Sequence, residues 1–275
     1  ILQILIFSCF FGFALAQLKV EPAVTITRFC HELVGVMLKV TDYVMWFAPI
    51  GIFGALAAAI TTQGLGVLAT YGKFIGSFYL GIVLLWTLLI GAGFVFLGPS
   101  VFRLMREVRD PLFVAFTTAS SEAAYPKLMA GLQRFGVNDR VSSFVLPLGY
   151  SFNLDGSMLY QSFAALFIAQ VYGIELSFGT QVTMLLVMMV SSKGVAGVPR
   201  ASLVVVAAVL PTFGLPEAGL LLILGIDQFL DMGRTATNVI GNSIATAVVA
   251  RWEGALGPPR GDAEVPAAAK AVPAH

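Results

Sequence analysis

Long apolar stretches broken by short polar ones set the pattern of this chain. No charged residue occurs from Ile1 to Leu18, from Tyr43 to Gly72 or from Phe74 to Phe102. Each run is close to or above the roughly 20 residues that a helix needs to cross a bilayer core. Farther on the pattern changes. Segment 111–132 carries Thr117, Thr118, Ser120, Ser121, Glu122 and Lys127, and segment 181–210 has a polar, glycine-bearing centre from Ser191 to Arg200. Neither suits a lipid-facing span. Each is followed by a long apolar segment with polar residues at its centre, over 141–172 and 219–251. The pattern predicts an all-α membrane protein that crosses the bilayer several times.

Composition narrows the class. The chain is 58% hydrophobic and 11% charged, against roughly 25% charged in a soluble domain. A net charge of +1 offers no nucleic-acid surface, and Cys9 and Cys30 are too few to staple a secreted scaffold. The triplet Ala14-Leu15-Ala16 imitates a signal-peptidase site, but no basic region precedes it. The start therefore reads as a chain cut inside a membrane segment. The stretch 255–275, Pro- and Ala-rich without periodicity, is predicted to be a disordered tail.

Loop charges orient the spans, because short Lys- and Arg-rich loops stay cytoplasmic. Arg103, Arg106 and Arg109 precede segment 111–132, and Arg134 and Arg140 follow it. A segment with basic loops at both ends enters and leaves by one face, so 111–132 is predicted to be a re-entrant helical hairpin. The loops near Glu175 and over 211–219 carry no basic residue and are predicted outside. Segment 181–210 then reads as a second hairpin entered from the opposite face, and the carboxyl terminus as cytoplasmic. Each tip has a Ser-Ser pair and a later proline: Ser120, Ser121 and Pro126, then Ser191, Ser192 and Pro199. Hairpin plus helix thus occurs twice, inverted. Irregular backbone at membrane depth survives only where protein or a water-filled cavity satisfies it, so two tips that meet make a midplane binding site.

Two helices carry the candidate chemistry. In the first, Gly149 to Ser157 includes Ser151, Asn153, Asp155 and Gly156. These residues are costly against lipid, and Gly and Asn permit local unwinding that frees carbonyls for a hard cation such as sodium. A plain kink with a satisfied Asn/Asp pair is the structural alternative. In the second, Asp227, Asp231, Arg234, Asn238 and Asn242 share one helical stripe. Arg234 offers a fork to a carboxylate and Asp231 accepts from an ammonium group, a pairing suited to an acidic amino acid. The alternative is that the two neutralise each other one turn apart. Glu122 reads equally as a proton carrier or as an ion-pair partner of Lys127.

Four motifs, Ser120-Ser121-Glu122, Gly149 to Ser157, Ser192 to Ser202 and Asp231-Met232-Gly233-Arg234-Thr235 through Asn242, resemble those of the dicarboxylate/amino acid:cation symporters, the glutamate transporter family. The resemblance runs from Ile1 to about Gly254. It implies an elevator transporter, in which a trimeric scaffold holds a mobile domain that carries substrate and cations together. Residues 1–63 are similar to later scaffold helices and 64–254 to most of the transport domain, while the family's first three helices and part of the fourth are missing.

By that resemblance Ser120, Ser121, Ser157, Val198, Asp231, Arg234, Thr235 and Asn238 bind substrate. Asp231 takes the amino group and Arg234 the side-chain carboxylate. Gly149, Asn153, Asn238 and Asn242 match one sodium site; Ser151, Ser192, Lys193 and Val195 match a second; Asn153 and Asp155 match part of a third. The resemblance implies no enzyme activity and no cofactor beyond sodium ions and/or protons as coupling ions. It implies glutamate, aspartate or a C4-dicarboxylate as substrate, a homotrimer when full length, and residence in a cell inner membrane. Departures stand beside these matches. Asn242 replaces an aspartate of archaeal members, Ala119 an arginine of those members, and Gln161 a glutamate tied to proton coupling in animal members. Dicarboxylate carriers of the family usually lack the aspartate at position 231, so Asp231 favours an amino acid. Two other classes remain readable from the residues: an intramembrane aspartyl protease using Asp155 and Asp231, and a passive anion channel.

Overall fold

A computed structural model describes residues 2–18, 20–193 and 199–261. Every element among the described residues is helical, apart from one isolated β-bridge between Val137 and Leu256. The first helices are α1 (Leu2–Ala16), α2 (Val20–Trp46), α3 (Ala48–Gln63) and α4 (Gly66–Leu97). The charge-free runs do not mark their boundaries. Gly64, at φ 75°, ends α3 in a conformation that costs an L side chain but not glycine, whereas the exposed Lys73 lies inside α4. Among the described residues α4, at 32 residues, is the one helix long and apolar enough by length and composition to cross a membrane. Its length of roughly 48 Å exceeds the roughly 30 Å hydrocarbon core.

A short amphipathic helix, α5 (Ser100–Glu107), leads to the hairpin α6 (Arg109–Thr118) and α7 (Ser121–Phe135). The turn between them is made by Ala119 at φ 52° and by Ser120, whose hydroxyl caps α7 by accepting from the Ala123 N–H at 3.4 Å. The segment 141–172 is two helices, α8 (Asp139–Phe152) and α9 (Asp155–Val171), separated by the non-helical Asn153 and Leu154. The break falls where the sequence places Asn and Gly in an apolar span. A second helix pair, α10 (Phe178–Ser191) and α11 (Ala201–Val209), is followed by α12 (Leu220–Leu224) and α13 (Asp227–Trp252).

Helix α13 is the axis of the molecule, packed against α4, α6, α7, α8 and α9. Two apolar clusters divide along it. One gathers Phe78, Ile82, Tyr160, Ile168, Val206 and Leu230; the other gathers Leu104, Leu128, Phe135, Leu146, Val239 and Ile244. The polar stretch from Asp231 to Asn238 lies between them. Small residues allow the close approach: a Cβ on Gly156 would strike the Arg234 carbonyl, and one on Gly233 would come 2.6 Å from Ile82 Cδ1.

Residues 255–261, the first of the Pro- and Ala-rich stretch, lie against the α7–α8 turn. Asn138 N–H donates to the Ala255 carbonyl at 3.1 Å, Gly257 N–H to Gly136 at 2.9 Å, and Arg260 N–H to Arg134 at 3.0 Å. Composition suggested disorder, but backbone groups of the α7–α8 turn supply partners that Pro- and Gly-rich sequence does not announce. Residues 262–275 lie outside the described residues. Around the same end of the molecule Arg134 pairs with Glu107 at 2.9 Å, Arg260 with Asp139 at 3.3 Å, and Arg103 stacks 4.8 Å over the Phe135 ring.

Candidate functional site

The helical stripe read from the sequence is buried along its length. Asp227, Asp231, Arg234, Asn238 and Asn242 are each at most 4% exposed. Burying ionised groups is costly unless each finds charged or hydrogen-bonding partners, and the structure supplies them from three elements. Asp231 Oδ1 pairs with Arg234 Nη2 one turn on. Its other oxygen, Oδ2, accepts from the backbone N–H of Arg200 at 2.6 Å. Thr235 Oγ1 stands 3.4 Å from both Asp231 Oδ1 and the Ala119 carbonyl. One carboxylate therefore touches the start of α11, and its neighbour touches the α6–α7 tip.

Ser157 ties α9 to the same centre. Its hydroxyl accepts from Arg234 Nη1 at 3.1 Å and from Asn238 Nδ2 at 3.0 Å. Asn238 Oδ1 in turn accepts from the N–H groups of Gly156 at 2.9 Å and Ser157 at 3.4 Å. These are the N–H groups that the first turn of α9 leaves without helical partners, so an α13 side chain caps α9.

A second polar group lies farther along α13. Asn153 Nδ2 donates to Asn242 Oδ1 at 3.2 Å. Glycines bring backbone close on both sides: a Cβ on Gly149 would meet Asn242 Oδ1, and one on Gly241 would meet Asp155 Oδ2. Asp155 Oδ2 and Asn242 Nδ2 are buried with no hydrogen-bond partner among the described residues. An unpartnered carboxylate oxygen beside amide oxygens and the end of a broken helix has the hard-oxygen chemistry of an alkali-cation site. Among the described residues no cluster of three His, Cys, Asp or Glu is present to hold a transition metal.

The other residues singled out from the sequence have these surroundings. Ser121 is buried at the start of α7, and its carbonyl accepts from Tyr150 Oη at 3.0 Å. Ser120 caps α7 beside Ala119. Ser192 is fully buried, with its hydroxyl donating to the Met189 carbonyl at 2.9 Å. Lys193 Nζ donates to the Phe152 carbonyl at 2.6 Å, linking the residue after α10 to the end of α8. Val195 and Val198 lie outside the described residues. Glu122 is exposed at the start of α7.

Sequence reasoning missed several members of this centre. Tyr160 Oη donates to Asp227 Oδ1 at 2.5 Å, and Arg200 Nε stands 3.7 Å from Asp227 Oδ2. Trp86 Nε1 donates to Thr237 Oγ1 at 2.7 Å from α4. The one available signal for Arg200 is its position, a charge at the end of a polar stretch inside apolar sequence. Geometry also separates two carboxylates that the sequence left pairable. Asp155 abuts Gly241, whereas Asp231 lies ten residues earlier on α13, about 15 Å along the axis. They cannot share a proton as an aspartyl-protease dyad does. Open concavities lie elsewhere, one of about 730 Å³ where α1 meets α2 and one of about 190 Å³ between α9 and α10.

Comparison with known proteins follows this geometry. The Sodium:dicarboxylate symporter family matches residues 1–252. The chain is 42% identical to the proton/sodium-glutamate symport protein of Geobacillus stearothermophilus over 253 residues, which is 92% of this chain and 60% of that protein. It is 43% identical to the proton/glutamate-aspartate symporter of Escherichia coli (strain K12), over 92% of this chain and 58% of the relative. Identity to the C4-dicarboxylate transport protein of Rhizobium johnstonii is 45%, over 93% and 58%. The chain thus spans about three fifths of the length of these relatives. With a match over nearly its whole length, it belongs to the Sodium:dicarboxylate symporter family, a family of membrane transporters and not of enzymes.

Proposed function

We propose that this chain forms the substrate- and cation-binding part of a secondary active symporter. It takes up an acidic amino acid or a C4-dicarboxylate together with sodium ions, protons or both. The observation that carries the reading is the meeting of two helix-pair tips on one buried stripe: the Ala119 carbonyl reaches Thr235 and the Arg200 N–H reaches Asp231. Unwound or irregular backbone at membrane depth, facing a buried charge pair, is the arrangement that secondary transporters use at the midplane. In this reading α6–α7 and α10–α11 are re-entrant hairpins that gate the site from opposite faces.

The roles follow from chemistry. Arg234 receives a substrate carboxylate, with Ser120, Ser121, Ser157, Thr235, Asn238 and Val198 around the rest of the molecule. Asp155, Asn153, Asn242 and the Gly149 carbonyl hold one cation, with Asn238 contributing to it. Ser151, Ser192, Lys193 and Val195 supply carbonyls for another. Cation binding favours a closed, substrate-bound domain, and that domain moves as an elevator against a scaffold to which α1–α3 belong. Large apolar side chains exposed on these helices, such as Phe10, Trp46 and Phe53, face lipid or neighbouring subunits of a homotrimer in the cell inner membrane.

The test is uptake of labelled glutamate, aspartate and succinate by the protein in liposomes, with sodium and proton gradients imposed separately. Uptake that rises with an inward cation gradient is expected. Uptake indifferent to both gradients sinks the reading, and anion current without cation flux replaces it with a channel.

A further inference from the structure

The side chains of Arg200 and Asp227 have no part in the substrate and cation roles above, but they meet beside that site. Asp227 stands one turn before Asp231 on α13, and two carboxylates at that spacing repel each other. Arg234 pairs with Asp231. Asp227 is answered from two other elements. Tyr160 Oη on α9 donates to Oδ1 at 2.5 Å, and Arg200, the residue before α11, brings Nε to 3.7 Å from Oδ2. Arg200 Nε and Nη2 have no hydrogen-bond partner among the described residues, and neither has Asp227 Oδ2, so the contact is one of charge.

The backbone at Arg200 makes this contact. Its φ is 64°, a left-handed conformation that is unfavourable for a residue with a Cβ and persists only where the surroundings hold it. In that turn one residue reaches two carboxylates. The guanidinium lies against Asp227 while the N–H donates to Asp231 Oδ2 at 2.6 Å. The Asp227 side chain is 2% exposed, so its carboxylate cannot turn to solvent when Arg200 leaves. The cost of an unmatched buried charge therefore holds the start of α11 to α13. Movement of that start also withdraws a donor from Asp231, at the centre of the proposed substrate site.

We propose that Arg200 is a positioning residue: its ion pair with Asp227 seats the start of α11 on α13 and so keeps the Asp231 carboxylate in place for substrate. The role rests on the reading of the α13 centre as the substrate site. Ser202, the second residue of α11, reports on the seating. It is 1% exposed, and its hydroxyl has no hydrogen-bond partner among the described residues, so Ser202→Cys removes no bond and leaves a thiol that a maleimide reaches only when α11 moves away.

The test is maleimide labelling of Ser202→Cys in detergent, with Cys9 and Cys30 replaced by serine, together with release of bound labelled L-aspartate and succinate. Arg200→Asn keeps a residue that tolerates the left-handed turn but removes the charge, and Asp227→Asn removes the opposite one. Each is expected to speed labelling about tenfold or more, because each leaves one buried charge unmatched. Arg200→Lys keeps the charge and should stay within about threefold of the parent protein. The double variant Arg200→Asn/Asp227→Asn leaves neither charge unmatched, so its effect should be smaller than the product of the single effects. Substrate release should quicken in the same order. Labelling unmoved by Arg200→Asn, equal labelling in Arg200→Lys and Arg200→Asn, or single effects that multiply in the double variant overturns the proposal. So does labelling that quickens while release does not. Where a single variant fails to fold, the double variant is expected to recover folding, and a double variant that folds no better overturns the pairing. Wild-type protein that binds neither L-aspartate nor succinate sinks the substrate site, while labelling in the expected order keeps the ion-pair role of Arg200. Gradient-driven uptake with labelling indifferent to Arg200 does the reverse.

Discussion

Helices α4 and α13 pack side by side and invert each other's chemistry. Helix α4 is apolar and shows much of that surface outward, with Leu80, Leu88 and Val95 exposed at 62%, 70% and 78%. Helix α13 carries two aspartates, two arginines and two asparagines, and most of it is buried, with Arg251 in the last turn exposed. In a soluble protein the apolar helix would sit inside. Here lipid is the solvent, so apolar surface costs nothing outside and polar groups must find partners within. The seam between the two helices shows the rule at close range: Trp86 and Tyr79 turn their polar atoms inward, to Thr237 at 2.7 Å and the Phe229 carbonyl at 2.6 Å.

The sharpest way to break this contrast is to remove one charge from α13. Arg234→Ala leaves the buried Asp231 carboxylate without its ion-pair partner, a change that costs about 3–5 kcal/mol when one member of a buried pair is lost. A large drop in the thermal midpoint in detergent is expected, together with a greater loss of acidic than of neutral substrates in uptake. Equal loss of both substrate types would show that Arg234 does not read the side-chain carboxylate.

A smaller effect compares one substitution at two glycines. Gly156→Ala drives a methyl group into the Arg234 carbonyl, whereas a Cβ on Gly91 of α4 meets nothing within 4 Å. Overpacking of this kind costs about 1–3 kcal/mol. Gly156→Ala should therefore lower the midpoint clearly and Gly91→Ala should leave it in place or raise it. If both behave alike, close packing on α13 is not what holds the centre.

Trp86→Phe removes the bond across the seam and leaves Thr237 bonded to the Gly233 carbonyl at 2.9 Å. A loss of about 1 kcal/mol follows from one hydrogen bond, read as a modest shift in the midpoint. Least of all, Leu88→Ala on the outer face of α4 should change stability by less than about 0.5 kcal/mol. A larger loss would mean that this face is covered in the assembled protein, and cross-linking through a cysteine at position 88 would identify what covers it.

Some of the site was readable in the chain because its signals are local. Asn153 and Gly156 in an apolar segment mark a helix break, and the break is at Asn153 and Leu154. Spacings of three and four residues put Asp227 to Asn242 on one face of α13, and that face is buried. Other parts depend on residues far apart in sequence and carry no local sign. Nothing near Tyr160 announces that it bonds Asp227, 67 residues away. The charge-free runs do not mark helix ends: the positive φ of Gly64, not the nearest lysine, ends α3. Residues 255–261 look disordered by composition, yet backbone bonds to 134–138 hold them.

The sequence by itself determined the class of this protein and the location of its scarce charges. Helical periodicity and the cost of polar groups in lipid are properties of short segments, and they require no knowledge of neighbours. Tertiary structure decided which of those charges meet. Asp231 carries the same carboxyl group in any fold, but its two oxygens are taken by Arg234, Thr235 and the N–H of Arg200 only because α11 begins against α13 in a left-handed turn. Whether a buried carboxylate awaits a ligand or is already matched depends on donors brought from elsewhere in the chain, and at these short distances the arrangement of charges outweighs their number.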